Sequence, residues 1–285
     1  EEHDPSYKQH EGLRYSARDV AVRRAQLAAI PVVLGSATPS LETWANAAQG
    51  RYALVELRER ALAGARLPAV RMVDTRADRP VEGLTDALLR ALRVRLTRGE
   101  QSLVFLNRRG FSPVLFCRSC AWHSACARCS ANLVLHLKAG ELRCHHCGHR
   151  ERVPARCPGC GSADLAPVGQ GTQRIEETLA AALPGARIAR VDRDSTSRQG
   201  AFAEVLEQVR AGKIDILVGT QMLAKGHDHP NLTLVGVVDS DCALYSADFR
   251  AAERLFSLLT QVAGRAGRAG EPGEVLVQTD FPAHP

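Results

Sequence analysis

Eight of the nine cysteines in this 285-residue chain stand as four Cys-x-x-Cys pairs within residues 117–160: Cys117/Cys120, Cys126/Cys129, Cys144/Cys147 and Cys157/Cys160. Each pair turns two thiols toward one point, and two pairs complete a tetrahedral soft-ligand site. The eight ligands therefore suffice for two closed Zn²⁺ centres. Disulfides are the competing reading. The first thirty residues lack the apolar stretch of a secretory signal and no run of eighteen apolar residues occurs, so neither export nor a membrane span is expected. A cytoplasmic, reducing environment then favours metal over disulfides.

Four pairs can be joined in three ways. A nested arrangement is expected, with Cys126, Cys129, Cys144 and Cys147 forming an inner site and Cys117, Cys120, Cys157 and Cys160 an outer one. The fourteen residues between Cys129 and Cys144 suit a zinc ribbon, and an insertion must return the chain near its point of departure, which the outer site does. The sequential pairing would force a five-residue loop to close a site alone. Neither site leaves an open coordination position, so a structural or binding role is expected rather than a catalytic zinc. His123, His136, His145, His146 and His149 lie nearby as possible ligands or DNA contacts, but with eight thiolates present they read as solvated side chains. Cys242, alone at the end of an apolar strand, reads as a packed thiol.

Metal also changes the electrostatics. The chain has 37 Lys+Arg against 31 Asp+Glu, a formal charge of +6, but two thiolate-filled sites would lower it to about +2. Any nucleic-acid role must then rest on where the arginines sit, not on the net charge.

Around the cysteine block the pattern is α/β. A helix is expected over 15–29, a buried strand at 31–34, and a second helix from Ser40 with Thr38 as N-cap and Pro39 at its first position. Residues 50–83 read as an edge strand and linker. A new series then begins with the amphipathic helix bearing Leu88, Leu89, Leu92 and Leu96 and the strand 102–106. After the cysteines it resumes with helices over 175–183 and 202–211, strands at 187–191, 215–219 and 232–239, a long helix from Ala251 and a last strand at 273–279. The expected domains are 1–66, the back half of a first lobe; 67–116 and 161–285, a second lobe; and 117–160, the inserted metal module.

Several polar constellations stand out. Gln261, Arg265 and Arg268 fall at i, i+4 and i+7 of the last helix, so the two guanidinium groups would share a face, as an arginine finger for phosphoryl-transfer charge requires. Gly264 and Gly267 break helix propensity there, which marks close approach of a ligand or backbone. Two Gly-Thr-Gln sequences, at 171–173 and 219–221, could grip phosphates through their backbone N–H groups and the hydroxyls of Thr172 and Thr220, with Gln221 and Lys225, Gly226, His227 and Asp228 extending the second. Tyr7, Lys8, Arg14, Tyr15 and Arg18 alternate rings and cations in the manner of single-strand binding surfaces. The opening Glu1-Glu2-His3-Asp4 looks like the tail of an acidic Mg²⁺ and water-activating motif. No G-x-x-x-x-G-K-[ST] phosphate loop occurs in the chain.

Together, EEHDPSYKQ, GSATPS, FLNRRGF, the cysteine block, GTQRIEE, DILVGTQMLAKGHDHP, SADFRAAER and QVAGRAGR resemble the superfamily-2 helicases, and within them the replication-restart helicases. The resemblance implies RecA-like parallel-sheet lobes of the P-loop NTPase type with an inserted binuclear zinc module. It also implies a 3′-to-5′ DNA helicase of the primosome that hydrolyses ATP with Mg²⁺, recognises stalled forks and helps restart replication. Glu1 would be the general base. Ser36, Ala37 and Thr38 would couple hydrolysis to DNA grip, Gly226 and Asp228 would reach nucleotide and strand, and Gln261, Arg265 and Arg268 would face the γ-phosphate. Residues 7–19 would sense single-stranded DNA, with Leu13 and Ser16 where the family favours Trp and His. Implied partners are forked and single-stranded DNA, other primosome proteins, single-stranded DNA-binding protein and the machinery that loads the replicative helicase, in the nucleoid. The chain reads as an internal portion of such a helicase, inactive alone. The competing readings are a nonenzymatic zinc-stabilised binding module and, less well suited to thiolate-filled sites, a zinc hydrolase.

Overall fold

The computed structural model describes residues 1–9, 12–57, 67–107, 114–117, 119–120, 122–129, 132–136, 139–144, 146–168, 171–192, 195–196, 198, 200–220, 223, 231–243, 250–267 and 273–284. The chain divides into two compact units, Glu1–Ala61 and Leu62–Pro285. The division falls within residues 58–66, outside the described set.

In the first unit a small antiparallel pair, β1 (Lys8–Gln9) and β2 (Tyr15–Ser16), leads into helix α1 (Ala17–Ala28). Ser16 caps α1 by accepting from the Asp19 N–H, Asp19 adds negative charge to the first turn, and Ala29 ends the helix in the left-handed region. Helix α2 (Leu41–Ala48) follows. Its N-cap is Ser40, which accepts from the Thr43 N–H, so the expected cap at Thr38 with Pro39 opening the helix is corrected. The expected buried strand at 31–34 is also absent, with Val33 91% exposed. An apolar run becomes a buried strand only beside a ladder partner, and the described part of this unit offers no strands besides β1 and β2.

The second unit is built on β3 (Ala69–Asp74), helix α3 (Asp86–Thr97) and β4 (Gln101–Leu106). After β4 come the short strands β5 (Val114–Cys117), β6 (Val134–His136), β7 (Glu141–Arg143), β8 (Arg150–Arg152) and β9 (Leu165–Val168). The series resumes with α4 (Thr172–Ala182), β10 (Ile188–Val191), α5 (Ala201–Arg210), β11 (Ile216–Gly219), β12 (Leu232–Val238), α6 (Ala251–Ala263) and β13 (Glu274–Thr279). Six strands form one wholly parallel sheet in the order β10-β11-β4-β12-β13-β3. Its central strands read as continuous apolar runs because helices cover both faces. Leu103 and Phe105 of β4 point into one core with Val262 of α6 and Val209 of α5, while Val104 and Leu106 point into the other with Leu88 and Leu92 of α3 and Ile175 and Leu179 of α4. Close packing at the centre depends on Gly236 in β12, where a Cβ would stand 2.5 Å from Leu88 Cδ1.

The five short strands make a separate antiparallel sheet, β8-β7-β6-β5-β9, inserted between β4 and α4. Pairing of β5 with β9, from Val114↔Val168 to Cys117↔Leu165, closes the insertion at its base. Its own small core joins Leu115, Leu133, Leu135 and Leu142 to the buried cysteines Cys126 and Cys144.

Candidate functional site

The cysteine pairs converge in the nested arrangement. The sulfurs of Cys117, Cys120, Cys157 and Cys160 lie within 4.8 Å of one another, and so do those of Cys126, Cys129, Cys144 and Cys147. Across each site the pairs stand at 3.6 Å for Cys117–Cys160, Cys120–Cys157 and Cys126–Cys147, and 3.5 Å for Cys129–Cys144. A zinc ion with Zn–S bonds of about 2.3 Å spaces tetrahedral sulfurs at about 3.8 Å, so both donor sets fit it. The turns are built for this. Gly148 and Gly161 adopt φ of 77° and 75° and donate to the carbonyls of Cys144 and Cys157, a left-handed turn that needs no side chain. Backbone N–H groups of Arg128, Cys147 and Gly159 also point at the sulfurs of Cys126, Cys144 and Cys157. Burial pushes the Cys117 thiol up, but the N–H groups of Cys120 and Ser119 outweigh it and bring the thiol down to about 7. The Cys147 N–H is the main cause of a Cys144 thiol near 6. Thiolate is the form that binds metal, and these donors favour it at Cys117 and Cys144. At Cys120, Cys147 and Cys160 a backbone N–H lowers the thiol, but neighbouring sulfurs and burial outweigh it, pushing Cys120 up to about 12 and raising the other two. Among the described residues no histidine joins either four-sulfur group. His149 instead meets Glu151 at 2.7 Å, and His145 lies outside the described residues.

In the first unit, two segments 33 residues apart meet through side chains. His3 Nδ1 lies 2.7 Å from Ser36 Oγ, and that hydroxyl reaches Glu1 Oε2 at 3.3 Å and accepts from the Thr38 N–H at 3.0 Å. The Thr38 hydroxyl is buried without a hydrogen-bond partner among the described residues. Next to Glu1, the buried Glu2 carboxylate accepts from the Ser40 N–H at 2.6 Å, from Ser40 Oγ at 3.3 Å and from Arg18 Nη1 at 3.0 Å. Burial raises the Glu2 pKa, yet the Ser40 N–H and Arg18 prevail and hold it below its usual value. Arg18 is thereby corrected from a cation of the single-strand surface to an internal partner. Tyr7 and Tyr15, at 47% and 48% exposure, and Lys8 and Arg14 remain on the surface at the hairpin.

In the second unit the last helix ends before the arginines expected on its face. Helix α6 stops at Ala263 with Gly264 as its cap, so Gln261 lies on the helix and Arg265 in the turn after it. Arg268 lies outside the described residues. The physical reason is the glycine pair. Gly264 propagates a helix poorly, and Gly267 takes φ of 72° and donates to Leu232 O at the start of β12. Gly273, just before β13, supports the same turn, since a Cβ there would stand 2.6 Å from the carbonyl carbon of Ala266 and 2.8 Å from Gly267 N.

The threonines lie at the opposite end of the sheet. Thr220 follows the last residue of β11. Thr172 opens α4 instead of lying in a loop, and its hydroxyl donates to Asp192, just beyond β10. Its hydroxyl hydrogen is thus engaged within the fold, while the first-turn N–H groups of α4 carry no side-chain cap. Gln221, Lys225, Gly226 and Asp228 lie outside the described residues. Sequence reasoning passed over Asp192, which also receives Arg190 Nη1 at 2.8 Å and the Ser195 N–H at 2.8 Å. A lone acid after a strand has no local signature of such a role.

The fold is α/β, a parallel sheet covered by helices with a cysteine-rich module set into it, and the sequence matches helicase families. The conserved helicase C-terminal domain matches residues 168–270, and the PriA DNA helicase Cys-rich region matches residues 126–152, which include all four inner cysteines. Along its whole length the chain is similar to replication restart protein PriA. It is 49% identical to that of Haemophilus influenzae over 285 residues, 47% to that of Bacillus subtilis over 287, and 47% to that of Treponema pallidum over 285. All of the chain is covered in each case, against 39%, 36% and 43% of those proteins. The chain spans about two fifths of the length of these relatives. Among solved structures it aligns with S. cerevisiae Dbp5 bound to RNA and ADP BeF3 at 15% identity and a TM-score of 0.41, covering 95% of this chain and 50% of that one.

The two four-sulfur clusters and the matched Cys-rich region support two zinc ions. No helix among the described residues is long and apolar enough to cross a membrane.

Proposed function

We propose that this chain is the motor portion of an ATP-dependent 3′-to-5′ DNA helicase that engages stalled replication forks and starts replication restart. Residues 1–66 would belong to the first RecA-like lobe, 67–116 and 161–285 to the second, and 117–160 to the zinc insertion. The observation that carries the reading is the whole-length identity of 47–49% to replication restart proteins. It is supported by the contact of Glu1 and His3 with Ser36, which ties the acidic segment to the segment assigned to coupling.

In this reading Glu1 orients or deprotonates the attacking water beside Mg²⁺, and Ser36 and Thr38 move with it when the strand is gripped. Hydrolysis of bound ATP supplies the driving free energy. Gln261, Arg265 and Arg268 stabilise charge developing on the transferred phosphoryl group. Thr172, Thr220, Gln221 and Lys225 contact the DNA strand, and Gly226 and Asp228 reach nucleotide and strand. The surface of Tyr7, Lys8, Arg14 and Tyr15 stacks on single-stranded bases. Both zinc ions are structural, and the module offers a surface to primosome proteins, single-stranded DNA-binding protein or the helicase-loading machinery.

The test is ATP hydrolysis by the protein that joins this chain to a phosphate-binding loop, with and without forked DNA bearing a single-stranded gap. Stimulation by DNA that is lost in Arg265→Ala and Arg268→Ala, with DNA binding retained, is expected. DNA binding without hydrolysis would replace the motor by a nonenzymatic binding platform.

A further inference from the structure

We infer that Arg18 is a positioning residue that transmits the state of the hairpin surface to the acidic segment at Glu1. The inference rests on the motor reading above and adds to it the residue through which DNA contact would reach the reaction centre. Arg18 is the second residue of α1, immediately after the hairpin that carries Tyr15. Its guanidinium is shared three ways. Nη1 donates to Glu2 Oε2 at 3.0 Å and to Ser40 Oγ at 2.8 Å, while Nε donates to Asp19 Oδ1 at 2.8 Å.

The geometry makes this contact stiff. Glu2 is 7% exposed, and a buried carboxylate cannot release its cation without being left unpaired. A shift of the hairpin and of the first turn of α1 therefore carries Arg18 and Glu2 with it. Glu2 is flanked by Glu1 and His3, and its own N–H donates to Gly35 O at 3.0 Å, next to Ser36. The other end of the contact is Ser40, which caps α2 and whose N–H is fixed by the same carboxylate. One guanidinium thus joins the hairpin, the acidic segment and the 36–40 segment, and it touches none of the reacting atoms. Displacements of about 1 Å in such a support change rates by up to about a hundredfold.

The test uses the full-length protein and compares Arg18→Gln, Arg18→Lys and Asp19→Asn for ATP hydrolysis without DNA, hydrolysis at saturating single-stranded DNA, and DNA affinity. Arg18→Gln is expected to lower the DNA-saturated kcat by roughly ten- to a hundredfold, with DNA-free hydrolysis and DNA affinity changed less than about threefold. Arg18→Lys keeps a charge for Glu2 but loses the fork that reaches Ser40 as well, so it should restore only part of the stimulation. Asp19→Asn removes one partner of the same guanidinium but leaves its bonds to Glu2 and Ser40, so it should lower the stimulation less than Arg18→Gln does. Stimulation retained in both Arg18 variants, or lost only in proportion to a common fall in DNA-free rate, overturns the inference. A parent protein that shows no DNA-stimulated hydrolysis overturns the motor reading instead.

Discussion

Replacing Gly236 by alanine probes the packing on which the six-stranded sheet depends. An added Cβ would stand 2.5 Å from Leu88 Cδ1, 3.0 Å from Cδ2 and 3.3 Å from Cγ, whereas carbon atoms rest at about 3.5–4.0 Å. Roughly 1 Å of room must be found. Helix α3 is poorly placed to retreat. Its N-cap Thr85 is held to Gln278 Oε1 through N at 2.9 Å and Oγ1 at 3.0 Å, the N–H groups of Asp86 and Ala87 are held by Asp78 at 3.1 and 2.9 Å, and Arg95 near its end reaches Glu274 at 3.0 Å. Leu88 itself is fully buried. Because the close atoms all belong to the Leu88 side chain, which is buried but can turn, the cost should lie within the range for overpacking, about 1–3 kcal/mol, which lowers Tm by roughly 2–12 °C for a unit of this size. Urea denaturation of the zinc-loaded protein followed by far-UV circular dichroism reads this directly. Leu88→Ala alone should cost about 2–5 kcal/mol. The double variant should cost less than the sum of the two by at least about 1 kcal/mol, because the alanine methyl enters the space that the leucine leaves. Strict additivity, or a Gly236→Ala variant within about 0.5 kcal/mol of the parent, would refute the packing argument.

Three other outcomes are expected. Gly273→Ala should displace the Ala266–Gly267 turn and lower DNA-stimulated hydrolysis while both zinc ions are retained; an unchanged kcat would show that the turn does not depend on this glycine. Cys144→Ser should reduce bound zinc from two ions to one per chain by atomic absorption, and chelation should unfold residues 117–160 while most helical circular dichroism survives; loss of the whole fold at once would make the module integral to the sheet. Glu2 has a folded pKa held below its ordinary 4.5, so its stabilising contribution is complete above that value and disappears as pH falls through the lower folded value. Glu2→Gln should flatten the acid limb of the stability curve, and an unaltered limb would place that acid sensitivity in other carboxylates.

How much of this could be read beforehand depended on the range of the interaction. The cysteine ligands were legible because a Cys-x-x-Cys turn is closed within four residues. The nested pairing was legible because an insertion has to return to its origin, and the β5–β9 pairing shows how it does so. The strands of the parallel sheet were visible as apolar runs, and α3 as a stripe of leucines. Other features were not local. Thr38 and Ser40 are both good helix caps in isolation, and the choice between them falls together with the Glu2 carboxylate, 38 residues away, bonding the Ser40 N–H. Likewise α6 carries Gln261 at helical spacing from Arg265, but the turn is drawn out of the helix where Gly267 bonds Leu232 and Gly273 leaves room for it.

By itself, then, the sequence determined the elements whose cause is short in range: eight thiolates in four turns, helices with a 3.6-residue stripe, and strands buried on both faces. The tertiary structure alone decided which partners those elements meet. The strand order β10-β11-β4-β12-β13-β3, the commitment of Thr172 to Asp192 and the joining of Arg18 to Glu2 each require groups distant in the chain to be desolvated together. A buried polar group takes whichever partner the packing brings within hydrogen-bond distance, and periodicity along the chain carries no record of that choice.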